Sequence, residues 1–424
     1  MDKFIIRKPR AGADTTNKRP APSAPAPSQK KAKAAGAAWT KAKLVPVAAA
    51  SYQDQTLEFA TLRDGRELLL GAEVWALPPG ASAASPAALK SLARVGKLGG
   101  DRFAALPGVD AAAVVFGSGF GKEAPRLAIC ELPSGEELVA DVPLPGVAAD
   151  RSYRGGGFVR RVHAAPRGDG AALLVVTNDR LWSFSVRRGA GGVECALDAS
   201  VDLAAGPLAK RLGKGELQAT ALYVGPSDRR FALAGKDGVV HVVPLEAGAT
   251  APARSVRMHE PLKKSDKDAR VCDLAVWRDG PRGAKMVTVG SDGKLAVCAL
   301  DDGARLATHA HADDAWHATT SGSGPSKQYR HAAAHNVVVD GNAGVAFTGS
   351  QFEPVGHLFD LRSKKSSAKG KELCATPKLA GGAPSKVSIM CAAASAATGL
   401  FAYSNSNNGD DATLKFVVPA AAKK

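Results

Sequence analysis

The stretch Met286-Val287-Thr288-Val289-Gly290-Ser291-Asp292-Gly293-Lys294-Leu295-Ala296-Val297-Cys298-Ala299-Leu300 holds two apolar runs joined by a short polar turn. Valine and threonine suit a pleated, half-buried surface, and Asp-Gly supplies the positive φ of a tight reversal. The stretch therefore reads as a β-hairpin. The same pattern stands upstream, where Phe231-Ala232-Leu233-Ala234-Gly235 passes through Lys236-Asp237-Gly238 into Val239-Val240-His241-Val242-Val243.

Five more pairs follow the same rule: Leu68 to Gly71 with Val74 to Leu77, Val114 to Gly117 with Leu127 to Cys130, Leu173 to Thr177 with Leu181 to Val186, Val345 to Ser350 with His357 to Arg362, and Leu400 to Ser404 with Leu414 to Val418. That makes seven units. Several carry an earlier strand ending in a turn, such as Leu57 to Leu62 before Asp64-Gly65 and Val271 to Trp277 before Asp279-Gly280. Three strands and a more variable fourth make one propeller blade, and long period-3.6 stretches of the kind an α or α/β domain needs are missing. The expectation is an all-β chain, a seven-bladed β-propeller over 46–420, after a disordered basic tail at 1–45 and before a short end at 421–424. Closing the ring leaves no long sheet edge exposed.

The repeated pattern of small residues, Asp-Gly and alternating apolar residues resembles WD-repeat proteins. The resemblance covers nearly the whole body, but its motifs are degenerate: Phe359-Asp360 is the close echo of the Trp-Asp pair, and no regular Gly-His dipeptide accompanies it. The units recur about every 55 to 60 residues over most of the body, beyond the roughly 40 to 45 usual for such repeats. Long connections around Gly80 to Pro86, Ser321 to Lys327 and Ser363 to Lys371 account for the excess, and a partner-specific surface is expected on such loops. The resemblance implies an interaction platform with loop-studded faces and no catalytic groups.

Charge is unevenly placed. Through Val45, eleven Lys or Arg stand against two Asp or Glu, so +9 of the formal net charge of +16 lies in that segment. Such a tail can hold phosphate backbones through counterion release without reading sequence, which makes non-specific nucleic acid an expected partner. Lys18-Arg19-Pro20 and Lys30-Lys31-Ala32-Lys33 flank a spacer rich in Ala, Pro and Ser and resemble the bipartite nuclear-import signal of the nucleoplasmin type. That resemblance implies importin as a partner and the nucleus as the location. The prolines forbid a long amphipathic presequence helix, and no apolar core of a secretory signal follows the charges.

Ahead of these clusters stands Lys3-Phe4-Ile5-Ile6-Arg7, which resembles the short motif by which an AlkB-type DNA dealkylase and other repair proteins dock on the PCNA sliding clamp. In that motif the aromatic and aliphatic side chains fill an apolar groove on the clamp while the cations meet its acidic surface. The resemblance implies a PCNA-type clamp as a partner and a role in DNA replication or the DNA damage response, on chromatin.

Phe359-Asp360-Leu361-Arg362 resembles the Trp-Asp-x-Arg ending by which many propellers dock on the adaptor of cullin-type ubiquitin ligases. In that reading Arg362 is the adaptor contact and Asp360 organises the turn. Phe stands for Trp, however, and the preceding Gln351 to Gly356 lack Asp-Gly. The segment Phe401-Ala402-Tyr403-Ser404 resembles the last blade of export and checkpoint propellers. A propeller subunit of another nuclear assembly, in ribosome biogenesis, the nuclear pore or a checkpoint, is the competing assignment.

Catalytic chemistry finds little support. The chain holds no Gly-x-Ser-x-Gly elbow and no phosphate-cradling loop ending in Lys-Ser or Lys-Thr. Alternation puts His309, His311 and Asp313 on one face of a strand, with Trp316, His317, His331 and His335 nearby, a combination able to hold a transition metal. An exposed histidine-rich loop between blades, anchored by Trp316, is the preferred reading because no family metal motif fits. No enzyme, metal or cofactor is expected. Six scattered cysteines without a C-x-x-C pair suit a reducing compartment, and no apolar run reaches the length of a membrane span.

Overall fold

The structure, a computed structural model, describes residues 39, 42–46, 56–117, 123–152, 155–205, 208–209, 212, 217, 219–225, 229–245, 252–261, 269–280, 283–310, 317–318, 329–330, 334–350, 356–362, 372–375, 387–407 and 413–419. Within them lie seven four-stranded antiparallel sheets and one two-stranded pair, His317–Ala318 with Tyr329–Arg330. The first blade runs Glu58–Thr61, Glu67–Leu70, Glu73–Ala76 and Ala93–Lys97, and the second Arg102–Leu106, Ala111–Phe116, Arg126–Glu131 and Glu137–Val142. The third runs Val159–Arg167, Gly170–Thr177, Arg180–Gly189 and Gly192–Asp202, and the fourth Ala219–Val224, Arg229–Ala234, Val239–Pro244 and Arg254–Arg257. The fifth runs Val271–Arg278, Ala284–Gly290, Lys294–Ala299 and Arg305–Ala310, and the sixth Ala334–Asp340, Val345–Ser350, His357–Asp360 and Glu372–Ala375.

The seventh blade is built differently. Val387–Ala394, Phe401–Asn407 and Thr413–Pro419 are followed in the sheet by Ala42–Pro46 from the other end of the chain. That strand pairs antiparallel with Thr413–Pro419, from Ala42 opposite Pro419 to Pro46 opposite Lys415. The first strand of each blade contacts the first strand of the next, and that of the seventh contacts that of the first. The chain thus forms a closed seven-bladed β-propeller, as the seven hairpin units predict. A strand from the N-terminal side fastens the ring.

Sandwiching explains the unbroken apolar runs. Leu69 packs with Leu400, Ala402 and Phe416 of the seventh blade, whereas Leu68 and Leu70 pack with Phe103, Ala112 and Val114 of the second. Successive side chains on a strand face opposite sides of its sheet, and here both sides are covered, so Leu68-Leu69-Leu70 needs no polar alternation. The central strand of the third blade, Gly170–Thr177, is buried at every position for the same reason. Each hairpin unit read from the sequence supplies the second and third strands of a blade, the two interior strands of its sheet.

The turns behave as their residues demand. Val289 pairs with Leu295 across the quoted hairpin, Gly293 takes φ 69°, and the Asp292 carboxylate accepts the Lys294 N–H at 3.1 Å. Gly238, at φ 75°, also has no room for a side chain, because a Cβ would run into the carbonyl oxygens of His259 and Ala269. The excess repeat length comes partly from long strands, up to eleven residues in Gly192–Asp202, and partly from inserted connections such as the 3-10 turn Pro86–Ser91.

The central channel and the joints between blades

The innermost strands of all seven blades enclose a central cavity of about 280 Å³. Their channel-facing positions carry Glu58, Arg161, His163, Thr220, Asp273 and Asn336. Such a concentration of polar groups contrasts with the apolar spaces between blades. Asp273 of the fifth blade receives Arg161 of the third at 3.5 Å and the backbone N–H of Val337 of the sixth at 3.0 Å. One carboxylate thereby ties three blades around the channel. Burial raises the Asp273 carboxyl above its ordinary range, opposed by Arg161 and by the N–H groups of Val337 and Leu274.

Two other channel groups are held neutral near neutral pH. Burial pushes the Glu58 carboxyl up to about 8, although its Oε2 accepts the Ala105 N–H at 3.0 Å. His163 is pushed down to about 3 by burial and by the nearby Arg161 charge, while its Nε2 lies 2.8 Å from the Thr220 hydroxyl. Arg102, beside the channel, reaches Thr56 at 3.4 Å, and its guanidinium is lowered to about 10, first by burial and then by repulsion from Arg161. Among the lining residues Arg161 is the cation, and the Asp273 carboxyl is its ion-pair partner.

Polar residues also join neighbouring blades. His259, in the connection into the fifth blade, places Nδ1 2.8 Å from Asp292 and Nε2 2.9 Å from the Thr288 hydroxyl. This is a part that sequence reading missed, because His259 follows Met258 rather than glycine. The Asp292-Gly293 turn was the available signal, since a buried Asp at a turn calls for a donor. At the opposite ends of the strands, Ser395 of the seventh blade donates to Glu67 of the first, and Thr61 donates to the same carboxylate at 3.3 Å.

The residues singled out from the sequence are placed as follows. Lys3, Phe4, Ile5, Ile6 and Arg7, and the basic positions Lys18, Arg19, Lys30, Lys31 and Lys33, lie outside the described residues. Asp360 accepts the Arg362 backbone N–H at 2.9 Å, as a turn-organising Asp does. The Arg362 guanidinium reaches across to Asp279 of the fifth blade at 3.0 Å and donates to the carbonyls of Gly341, Asn342 and Ala343. Lys285 meets the same Asp279 at 2.6 Å. Burial alone would raise the Asp279 carboxyl, but Lys285 and Arg362 outweigh it and hold it below its ordinary value.

His309 departs from the loop reading. It sits on the strand Arg305–Ala310, is fully buried, and lies with its ring centroid 5.8 Å from that of Phe359 in the sixth blade. Apolar packing on a strand, rather than solvent, surrounds it, and burial lowers its pKa. His311, Asp313 and Trp316 lie outside the described residues. Among the described residues, no group of three or more His, Cys, Asp or Glu is placed to hold a metal ion. Cys130, Cys195, Cys272 and Cys298 are free thiols, all raised to about 11 or 12, chiefly by burial.

No protein-family model matches the chain, and no curated protein matches it. Among solved structures, the chain is similar to the WD40 β-propeller domain of Doa1, at 10% identity and a TM-score of 0.49 over 89% of this chain and 97% of that one.

Proposed function

We propose that this protein is a non-enzymatic nuclear scaffold, whose propeller gathers protein partners and whose basic N-terminal segment tethers it to a PCNA-type sliding clamp and to chromatin during DNA replication or the damage response. The observation that carries this reading is the placement of Ala42–Pro46 as the outermost strand of the seventh blade. The chain ahead of Trp39 is joined to the ring at its rim rather than at the channel. A tether attached there leaves both loop-bearing faces to partners. Lys18, Arg19, Lys30, Lys31 and Lys33 supply the importin contacts, and Lys3 to Arg7 the clamp contacts.

Arg362 favours a structural role over an adaptor contact, since its donors are spent on Asp279 and three carbonyls. The reading is tested by clamp pull-down from nuclear extract with the full-length protein and its Phe4→Ala variant, followed by imaging of a Lys30→Ala, Lys31→Ala, Lys33→Ala triple variant. Clamp capture should fall at least tenfold with Phe4→Ala, and the triple variant should leave the nucleus. Undiminished capture removes the clamp from the proposal and leaves a propeller of another nuclear assembly.

A further inference from the structure

We propose that the outer edge of the third blade, at residues 192–197, is a docking site for an extended peptide, and that its occupant is this chain's own Lys3-Phe4-Ile5-Ile6-Arg7, added there as a fifth strand.

Gly192–Asp202, at eleven residues the longest described strand, ends the order of its sheet, so among the described residues no strand pairs with its outer side. Its register with Arg180–Gly189 is unbroken from Gly192 opposite Gly189 to Leu197 opposite Phe184, and the bulge at Asp198 comes only after that. Alternate residues here present N–H and C=O groups outward with no ladder to join. Edge strands are ordinarily protected by charged side chains or Pro, by bulges, or by being short. The other described outer strands follow that rule: each carries Lys or Arg, is broken by bulges, or stops after four residues. Residues 192–197 hold no Lys, Arg or Pro and no bulge, and Leu197 stands 45% exposed among them.

Chemistry selects the occupant. Gly192–Asp202 holds three carboxylates and no cation. Asp198 is taken by Arg167 and Arg229, and Asp202 by Arg180, whereas Glu194 is exposed and no ion pair reaches it among the described residues. Its cross-strand neighbour Arg187 turns instead to Asp169, at 3.5 Å. A strand added at this edge is favoured when it sets a cation beside Glu194 and apolar side chains beside Cys195, Ala196 and Leu197. Lys3-Phe4-Ile5-Ile6-Arg7 has that order from either end. Run antiparallel, it places Arg7 opposite Glu194, Ile6 opposite Cys195, Ile5 opposite Ala196 and Phe4 opposite Leu197, with Lys3 in solvent past the bulge. Phe and Ile suit strands, and main-chain pairing supplies affinity while the side-chain pairs set the register.

The tail can reach this edge. Ala42–Pro46 is the outermost strand of the seventh blade, so the tail starts from the same outer rim. The 31 residues 8–38 extend to about 100 Å, against roughly 55 Å across a compact domain of this size. Clamp docking would use the same side chains, so the edge stows the motif until a clamp displaces it, a consequence that rests on the tether reading above.

The experiment uses the full-length protein with Ile5→Cys and Ala196→Cys, positions that face each other in either strand direction, oxidised by glutathione disulfide. Directly opposed Cα atoms, about 4.5 to 5.5 Å apart, lie within disulfide reach. The intramolecular disulfide, identified by mass spectrometry of the digested protein, should form at least tenfold faster than that between Ser28→Cys and Ala196→Cys, at any protein concentration. Glu194→Lys with Leu197→Lys, both at exposed positions, should remove that advantage. Equal rates for the two pairs, an advantage that survives the edge substitutions, or links between chains that grow with concentration overturn the proposal. Hydrogen exchange in the protein with its natural cysteines gives a second measurement. The outward amides of 192–197 should exchange at least tenfold faster in Phe4→Asp than in the parent, and equal exchange overturns the proposal. Adding a PCNA-type clamp then separates the two readings. Cross-linking that the clamp leaves unchanged keeps the docked strand and removes the clamp, whereas clamp capture that depends on Phe4 in a protein that never cross-links keeps the tether and removes the docked strand.

Discussion

Trp39 packs edge-on against Phe401, with ring centroids 5.6 Å apart and 65° between the planes, so the closing strand is preceded by an aromatic anchor in the blade it completes. Trp39 is 3% exposed and shares its cluster with Phe347, Leu358 and Tyr403. Trp39→Ala should cost about 3 to 5 kcal/mol, the range for emptying a buried Trp site. Chemical denaturation of the full-length variant checks it. Removing residues 1–38 should leave the unfolding midpoint unchanged, whereas removing residues 1–46 should lower it steeply because the seventh blade loses its outer strand.

His259 links the connection before the fifth blade to that blade's hairpin. Both ring nitrogens are committed, to Asp292 and to Thr288, and the side chain is fully buried. His259→Ala should destabilise the protein by about 3 kcal/mol through a cavity plus two polar groups deprived of a partner. Gly290→Ala supplies an independent check, because its Cβ would run into the imidazole ring. Equal unfolding midpoints for the wild type and both variants, by thermal melting, would contradict the assigned role.

The hairpin units were legible because Asp-Gly turns and β-branched runs are local features. Thr288 and Asp292 read correctly as strand and turn, yet their shared partner His259 lies some thirty positions upstream in a loop, and no local pattern announces it. The fourth strands were the least legible. Ala93–Lys97 and Glu137–Val142 are largely exposed outer strands, free of the apolar requirement that marks the inner ones. Ala42–Pro46 was hidden for a related reason: a short outer strand next to a lysine-rich segment looks like a continuation of that segment. His309 misled because alternation with His311 and Asp313 suggested a polar face, while the packing of neighbouring blades buried it against Phe359.

Arg362 and Asp279 form a joint between the fifth and sixth blades that makes the Asp360-x-Arg362 ending structural. Asp279 is 4% exposed at its side chain and Arg362 22%, so solvent screens the pair only in part. A double-mutant cycle with Arg362→Ala and Asp279→Asn should give a coupling energy of about 1 to 3 kcal/mol. Gly344 admits the Arg362 side chain, and a Cβ there would collide with it. Gly344→Ala should therefore reproduce part of the Arg362→Ala loss. If Arg362→Ala abolished binding to a ligase adaptor while leaving stability intact, the pair would be an interface rather than a joint.

Glu58 and His163 give the channel a distinct pH dependence. The Glu58 carboxyl is raised from 4.5 to about 8, so between those values the folded chain keeps a proton that the unfolded chain has released, and stability falls as pH rises. His163 is lowered from 6.5 to about 3, so between those values the unfolded chain holds the extra proton, and stability is lost as pH falls. From pH 4.5 to 6.5 the two effects oppose and largely cancel. Above 6.5 His163 is neutral in both states, and the Glu58 carboxyl sets the direction of the slope. Stability should therefore decline from pH 6.5 to 8 by up to about 1 kcal/mol per pH unit. Glu58→Gln cannot ionise and keeps the acceptor for the Ala105 N–H, so it should flatten that limb and leave the variant more stable than the parent at pH 8. Denaturant titrations at pH 6.5 and 8 measure both slopes, and parallel slopes for the two proteins would show that Glu58 ionises freely in the folded channel.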